Sequence, residues 1–219
     1  MFLKTVSAVF TQKQTEIIKA AVKLFADKGF DNTSVRDIAK AADVNVAMIS
    51  YYFGSKEKLL EAIFQKYILM MRERLEKIVF ASDVTPADKI DLIIDTYIDT
   101  IAANPNFHLL MVREQGVMKN PVLYEGVRSM KLKNNTLLKS AIKAGAKAGI
   151  FKKNVDVTIL ALTVFGTINQ AFNTRRFLCE QYHIDQHNDS EFFKTIIPRL
   201  KAHLKEVVKS YLLVKESDK

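Results

Sequence analysis

The sequence is short of the residues that build tight turns. Of 219 residues only seven are Gly and four are Pro, and neither an Asn-Gly nor an Asp-Gly pair occurs. Antiparallel hairpins commonly turn on such pairs, so their absence speaks against a β fold. Cys179 is the single cysteine, which excludes an intramolecular disulfide and gives no sign of an oxidising compartment. No apolar run approaches the ~20 residues needed to span a bilayer. The opening Met1 to Phe10 carries one Lys and several apolar residues, with no evident cleavable signal behind it. These absences lead to the expectation of a cytoplasmic protein with no membrane partner. Chemistry-bearing patterns are missing too: there is no nucleophile–base–orienter set, no phosphate-cradling Gly-rich loop and no strong metal motif. An enzyme, a cofactor and a bound metal are therefore not expected.

What is present reads as an ordinary globular chain, 48% hydrophobic and 26% charged. Its length suits one large domain or two modest ones. The formal charge of +9 and pI of about 9.5 suit a polyanionic partner such as DNA.

Hydrophobic periodicity predicts an all-α fold of about nine helices. The first spans residues 12–28, with an apolar stripe of Ile17, Ala21, Leu24 and Phe25. Thr11 and Gln14 fit a capping box before it, and Gly29 stops it. Ser34 caps a second helix over 35–41, Asn45 a third over 46–53, and Ser55 a long fourth reaching about Val79. Pro86, Pro105 and Pro121 each suit the first turn of a further helix. The segment Gly149 to Asn154 separates the seventh helix from an eighth, about Asp156 to Gln181, and a ninth ends near Leu213. This divides the chain into a helical head, 1–54, and a helical body, 55–219.

In the head, two short helices are joined by only Ala42 to Asn45, so they must cross steeply. Ile38, Ala39, Val44, Ile49 and Phe53 supply the apolar contacts such a crossing needs, and the first helix closes a three-helix unit. This is helix-turn-helix patterning. The third helix would be the major-groove reader, offering Asn45, Val46, Ala47 and Ser50 to base edges. Tyr51 and Tyr52 can donate hydroxyls to phosphates, and Lys56 opens the next helix where a phosphate is favoured.

The string Phe25, Gly29-Phe30, Thr33-Ser34-Val35, Asp37-Ile38-Ala39, Val44, Tyr51-Tyr52-Phe53 and Ser55-Lys56-Glu57-Lys58-Leu59 resembles the TetR family of regulators. The motif-level resemblance covers about residues 12–64. It implies DNA contacts at Val35, Asn45, Val46, Ala47, Ser50, Tyr51, Tyr52 and Lys56, with Thr33 and Arg36 as further phosphate contacts. Asp43 stands where the family often has Gly, which calls for a left-handed residue or an altered turn. Ser50 replaces a frequent aromatic. Residues 1–60 hold nine Lys or Arg against six Asp or Glu, a net of +3. That modest charge suits a few placed contacts with salt-dependent affinity rather than a broad basic face.

The resemblance implies a one-component regulator: a homodimer, paired through its last two helices, that binds palindromic operator DNA and is released by a small-molecule effector. Repression or activation would follow from where the site lies relative to a promoter. A helical interaction or ligand-binding protein whose head does not bind DNA is the alternative. The eighth helix, apolar on most of its circumference, and the amphipathic ninth fit burial against a second copy or within one subunit. Inward-facing candidates for an effector pocket are Tyr97, Ile101, Phe107, Met111, Phe165, Asn169 and Phe172.

Three charge features remain. Asp88, Asp91, Asp95 and Asp99 share one face of the fifth helix, which reads as a solvated face or a cation-binding wall. Eight basic and no acidic residues lie between Arg128 and Lys153, as expected for Lys stems along a solvent face or for an anion-binding stretch. His183 and His187 have the spacing of a metal pair but lie in a polar connection.

Overall fold

The computed structural model describes residues 10–115 and 121–214. The segment before Phe10, and with it the reading of the opening residues, lies outside the described part. Among the described residues the chain forms ten helices and no strand, apart from one isolated bridge between Phe151 and Leu213. The helices are α1 (Gln12–Lys28), α2 (Val35–Ala41), α3 (Val46–Phe53), α4 (Lys56–Val79), α5 (Pro86–Ala103), α6 (Pro105–Gln115), α7 (Pro121–Lys147), α8 (Val157–Asn173), α9 (Arg175–Gln181) and α10 (Asp189–Leu212).

Most boundaries fall where local chemistry puts them. The Thr11 hydroxyl accepts from the Gln14 N–H at 3.3 Å, and the Gln14 side chain accepts from the Thr11 N–H at 2.9 Å. Ser34 and Asp37 form a second such box at α2, and Ser55 accepts from the Lys58 N–H at 3.2 Å to start α4. Each cap satisfies amide donors that a helix start leaves unpaired.

The predicted eighth helix is two helices. It breaks at Thr174, whose backbone (φ −100, ψ 26) leaves the α-helical range. The Thr174 hydroxyl donates to the Gln170 carbonyl at 2.8 Å, a bond to the preceding turn that Thr163 and Thr167 also make within the continuous α8. The break falls in the polar run Asn173-Thr174-Arg175-Arg176, and the apolar pattern resumes at Phe177 beyond it.

The chain divides into two compact units, Met1–Glu73 with Ala103–Lys133, and Arg74–Ala102 with Asn134–Lys219. The unit holding the head is therefore larger than residues 1–54. In it α1 packs along both α2 and α6. One core joins Ile17, Ala21 and Phe25 of α1 to Ile38, Ile49 and Leu59, and to Leu110 and Met111 of α6.

The second unit is held by α5, α8, α10 and the later part of α7. A ladder of ion pairs links α5 to α10: Lys209 to Asp91 at 2.6 Å, Lys205 to Asp95 at 2.7 Å and Lys201 to Asp99 at 2.6 Å. Three of the four aspartates on that face of α5 are thus paired with lysines of α10 rather than bare, while Asp88 is exposed and accepts from the Thr85 hydroxyl at 2.7 Å. Phe151, 1% exposed, lies over Gly145 so closely that a Cβ there would meet its ring at 2.1 Å. Beside it Lys152 N–H donates to the Leu212 carbonyl at 2.8 Å, tying the end of α10 to the loop after α7. No helix among the described residues is long and apolar enough to cross a membrane.

Candidate nucleic-acid interface and effector cavity

The helix-turn-helix is built as its sequence directs. Ile38, Ala39, Ile49 and Phe53 are all buried in one core, with Val44 packed against it in the turn. Asp43 adopts φ 51, so the turn keeps its shape through a left-handed residue that is not Gly. Gly54 (φ 81) ends α3, a conformation that Gly adopts without strain.

The burial pattern leaves a small set of side chains facing outward from α3. Val46 is 39% and Tyr51 83% exposed, and Asn45, Ala47 and Ser50 are exposed as well. Asn45 is the N-cap: its Oδ1 accepts from the Ala47 N–H at 2.9 Å. Tyr52 is half-buried and packs against the core, with the Tyr51 ring against it at 5.2 Å. On α2, Arg36 is exposed, while Val35 is half-buried against the same core. Hydrogen bonds from Ser34 hold the Asp37 carboxyl below the usual carboxylate range, fixing the start of that helix.

Two expected phosphate contacts point inward. Thr33 is 1% exposed, and its hydroxyl lies 2.8 Å from the Gly29 carbonyl and 3.3 Å from that of Leu24. It anchors the loop after α1 and has no surface to offer. The Lys56 ammonium donates to the carbonyls of Phe30 and Thr33, each at 3.0 Å, and stands 4.2 Å over the Phe30 ring. A cation at a helix start is disfavoured by the helix dipole; here it turns back to the loop carbonyls. Two of its three protons pin that loop to α4.

In the second unit, Ile90, Ile93, Ile94 and Tyr97 of α5, Leu138 of α7, Leu160, Ala161, Val164 and Phe165 of α8, and Val208 of α10 surround a cavity of about 30 Å³. Every lining residue is apolar except Tyr97. Burial raises the Tyr97 phenol far above its usual range, so it stays neutral. Its ring meets Phe165 edge-on at 4.6 Å. Of the seven predicted pocket residues, Tyr97 and Phe165 line this cavity. Phe107 and Met111 instead belong to the core beneath α1, where Phe107 stacks on Tyr67 at 3.7 Å. Phe172 packs edge-on to Phe192 at 6.4 Å, and Ile101 and Asn169 are half-buried elsewhere on their helices. Sequence reasoning missed the other eight lining residues, among them Leu138 and Val208, which periodicity cannot tell from ordinary core. Among the described residues no three His, Cys, Asp or Glu gather as metal ligands, His183 and His187 included.

Two family descriptions match the chain: bacterial regulatory proteins of the tetR family over residues 17–63, and the tetracyclin repressor-like C-terminal domain over residues 83–173. The fatty acid metabolism regulator protein of Bacillus subtilis is 27% identical over 162 residues, 74% of this chain and 82% of that protein. The HTH-type transcriptional repressor NicS of Pseudomonas putida is 26% identical over 184 residues, covering 80% of this chain and 78% of its own. In fold, the transcriptional regulator FadR from Bacillus subtilis, solved in complex with stearoyl-CoA, superposes with a TM-score of 0.69 at 23% identity, over 90% of this chain and 97% of that one. With the helix-turn-helix core and its outward face in place, and both of its parts matched, the chain belongs to the TetR family of bacterial transcriptional regulators.

Proposed function

We propose that the chain is a one-component repressor, a homodimer that holds a palindromic operator through two α3 helices and lets go when a small molecule fills the α5–α8 cavity. Residues 1–54 serve as the DNA-binding domain and 55–219 as the effector-binding and dimerisation domain. The observation that carries this reading is the outward set on α3: exposed Val46, Ala47, Ser50 and Tyr51 above a fully packed helix-turn-helix core. Val35, Arg36, Asn45 and Tyr52 complete the DNA surface, with Arg36 and the two tyrosines placed for phosphates. Lys56 and Thr33 act from behind, by setting the loop that precedes α2.

Dimerisation is supported by apolar side chains left exposed on the helices of the second unit. Ile159 and Leu162 of α8 are 57% and 59% exposed, and Val207 and Tyr211 of α10 are 37% and 45% exposed. Exposed apolar residues recurring on neighbouring helices mark a surface that another chain covers. Two heads are also what a palindrome needs, with half-sites centred ~34–36 Å apart in successive major grooves. For the effector, the apolar cavity favours a molecule with a hydrocarbon part. The named roles of the relatives, fatty acid metabolism for one and a stearoyl-CoA complex for another, point the same way. A cavity of about 30 Å³ is closed around almost nothing, so an effector must prefer a conformation with Tyr97 and Phe165 parted. That preference supplies the coupling free energy. The protein works in the cytoplasm, where its DNA is, and catalyses no reaction.

The test is selection of fragmented genomic DNA by the purified protein at moderate salt. Enrichment of one palindromic site supports the proposal and gives the half-site spacing. Retention of nothing, or of all sequences equally, refutes it and leaves a helical ligand-binding protein.

A further inference from the structure

The outward face of α3 lacks every side chain that grips a purine at two points. Its sequence, Val46 to Phe53, contains no Arg, Lys, Gln or Asn, and guanine is most often read by Arg or Lys bonding O6 and N7 together. Asn45, at the cap, is the one amide nearby. A two-point contact to adenine needs the amide oxygen to accept from N6 while the nitrogen donates to N7. In this protein that oxygen also accepts the Ala47 N–H at 2.9 Å, so the helix cap holds one of its two lone pairs and ties the amide to the start of the helix. Ile49 and Phe53 are buried and Met48 is half-buried. What faces outward at the start of the helix is therefore aliphatic: Val46, 39% exposed, and Ala47. Ser50 and Tyr51 follow one turn later with a hydroxyl each.

Among the four bases only thymine places a methyl group in the major groove. Resting on the DNA-binding reading above, we infer that the half-site is read chiefly through thymine methyls packed on Val46 and Ala47. The base pairs under the first turn of α3 are accordingly A·T, with the methyl-bearing strand toward the helix. Ser50 and Tyr51 add single hydrogen bonds that orient the helix more than they discriminate. Arg36 lies on α2, the helix that crosses the backbone in this motif, and is assigned to phosphate. Because a methyl contact has no directionality, selectivity comes from the summed fit of several such contacts.

The experiment replaces thymines with deoxyuridine, one position at a time, in the duplex enriched by genomic selection, and measures the Kd of the full-length protein. Uracil pairs as thymine does and lacks only the methyl. Each contacted methyl is worth about fourfold in Kd, the equivalent of ~0.8 kcal/mol per buried methyl-sized group. The loss is expected at the same one or two positions in both half-sites. Val46→Ala, a change at an exposed site that leaves the core untouched, is expected to shrink the uracil effect at one of those positions while tolerating uracil itself. Tight operator binding that is indifferent to every uracil overturns the inference and leaves the DNA-binding reading intact. So does sensitivity confined to guanines, seen as loss of binding with 7-deazaguanine. Failure to enrich any duplex removes both.

Discussion

Replacing Lys56 with Met separates two roles for that residue. The ammonium makes hydrogen bonds of 3.0 Å to the carbonyls of Phe30 and Thr33 and a 4.2 Å contact with the Phe30 ring. Hydrogen bonds to a charged group contribute about 1.5–3 kcal/mol each when well sheltered, and a partly exposed cation–π contact about 0.5–1 kcal/mol. Lys56 is half-buried, so water takes up part of the difference and the net cost is about 2 kcal/mol. In a chain of this size that lowers Tm by roughly 4–8 °C. Operator affinity falls too, because the Gly29–Ser34 loop sets where α2 starts. The salt dependence is what discriminates. If each Lys56 of a dimer neutralised one phosphate, the substitution would flatten the slope of log K against log salt by about 1.8, at 0.9 per phosphate. If Lys56 is a pin, the slope stays as it is and the binding curve shifts equally at every salt concentration. Differential scanning fluorimetry and operator titrations across a series of salt concentrations read both quantities. An unchanged Tm together with a flattened slope would refute the pin and make Lys56 a phosphate ligand.

Asp43→Gly relieves the left-handed residue at φ 51 and is expected to raise stability by about 0.5–1 kcal/mol, measured by denaturant midpoint. Gly145→Ala, which helix propensity alone would make stabilising by about 1 kcal/mol, is expected to cost about 2–3 kcal/mol because the buried Phe151 ring occupies the space; the sign of the change in Tm decides. Leu162→Glu places a charge on the exposed α8 face and is expected to yield monomers with weak operator binding, seen by sedimentation velocity. His108 is held below its ordinary pKa of 6.5 by burial, so the folded protein prefers the neutral ring. Its contribution is complete above pH 6.5 and is lost as pH falls toward the lowered folded value, while the unfolded chain takes up the proton. His108→Gln is expected to flatten the dependence of Tm on pH over that interval, and an unchanged profile would exclude the effect.

The head was legible because its determinants are local. Thr11, Ser34, Asn45 and Ser55 each cap a helix within three residues of themselves, and the positions packed at the α2–α3 crossing lie within sixteen residues of one another, from Ile38 to Phe53. The α1–α6 packing was not legible. Periodicity shows that Leu110 and Met111 sit on an apolar stripe, but not that the stripe faces α1, far back in the chain. The same limit applies to Lys205 and Lys209, which meet carboxylates 110 and 118 residues away; the acidic face could be seen and its partners could not. Thr33 shows a different gap. A threonine in a loop reads as surface, and only the carbonyls of Leu24 and Gly29 converging on its hydroxyl make it interior. In the pocket, Tyr97 and Phe165 were found because each is a large aromatic on a helix face. Phe107 meets the same criterion and packs in a different core.

The spacing of the α5–α10 ladder has a consequence for how these helices can move. Both charged rows repeat every four residues and run in opposite directions: Asp91, Asp95 and Asp99 against Lys209, Lys205 and Lys201. Slide α10 by half a turn and no lysine faces an aspartate. Slide it by four residues, ~6 Å at ~1.5 Å per residue, and two pairs form in place of three, Lys205 with Asp91 and Lys201 with Asp95, which it already approaches at 3.9 Å. Travel along this seam is therefore stepped, with one resting place every four residues, and each step away from the observed register gives up one ion pair.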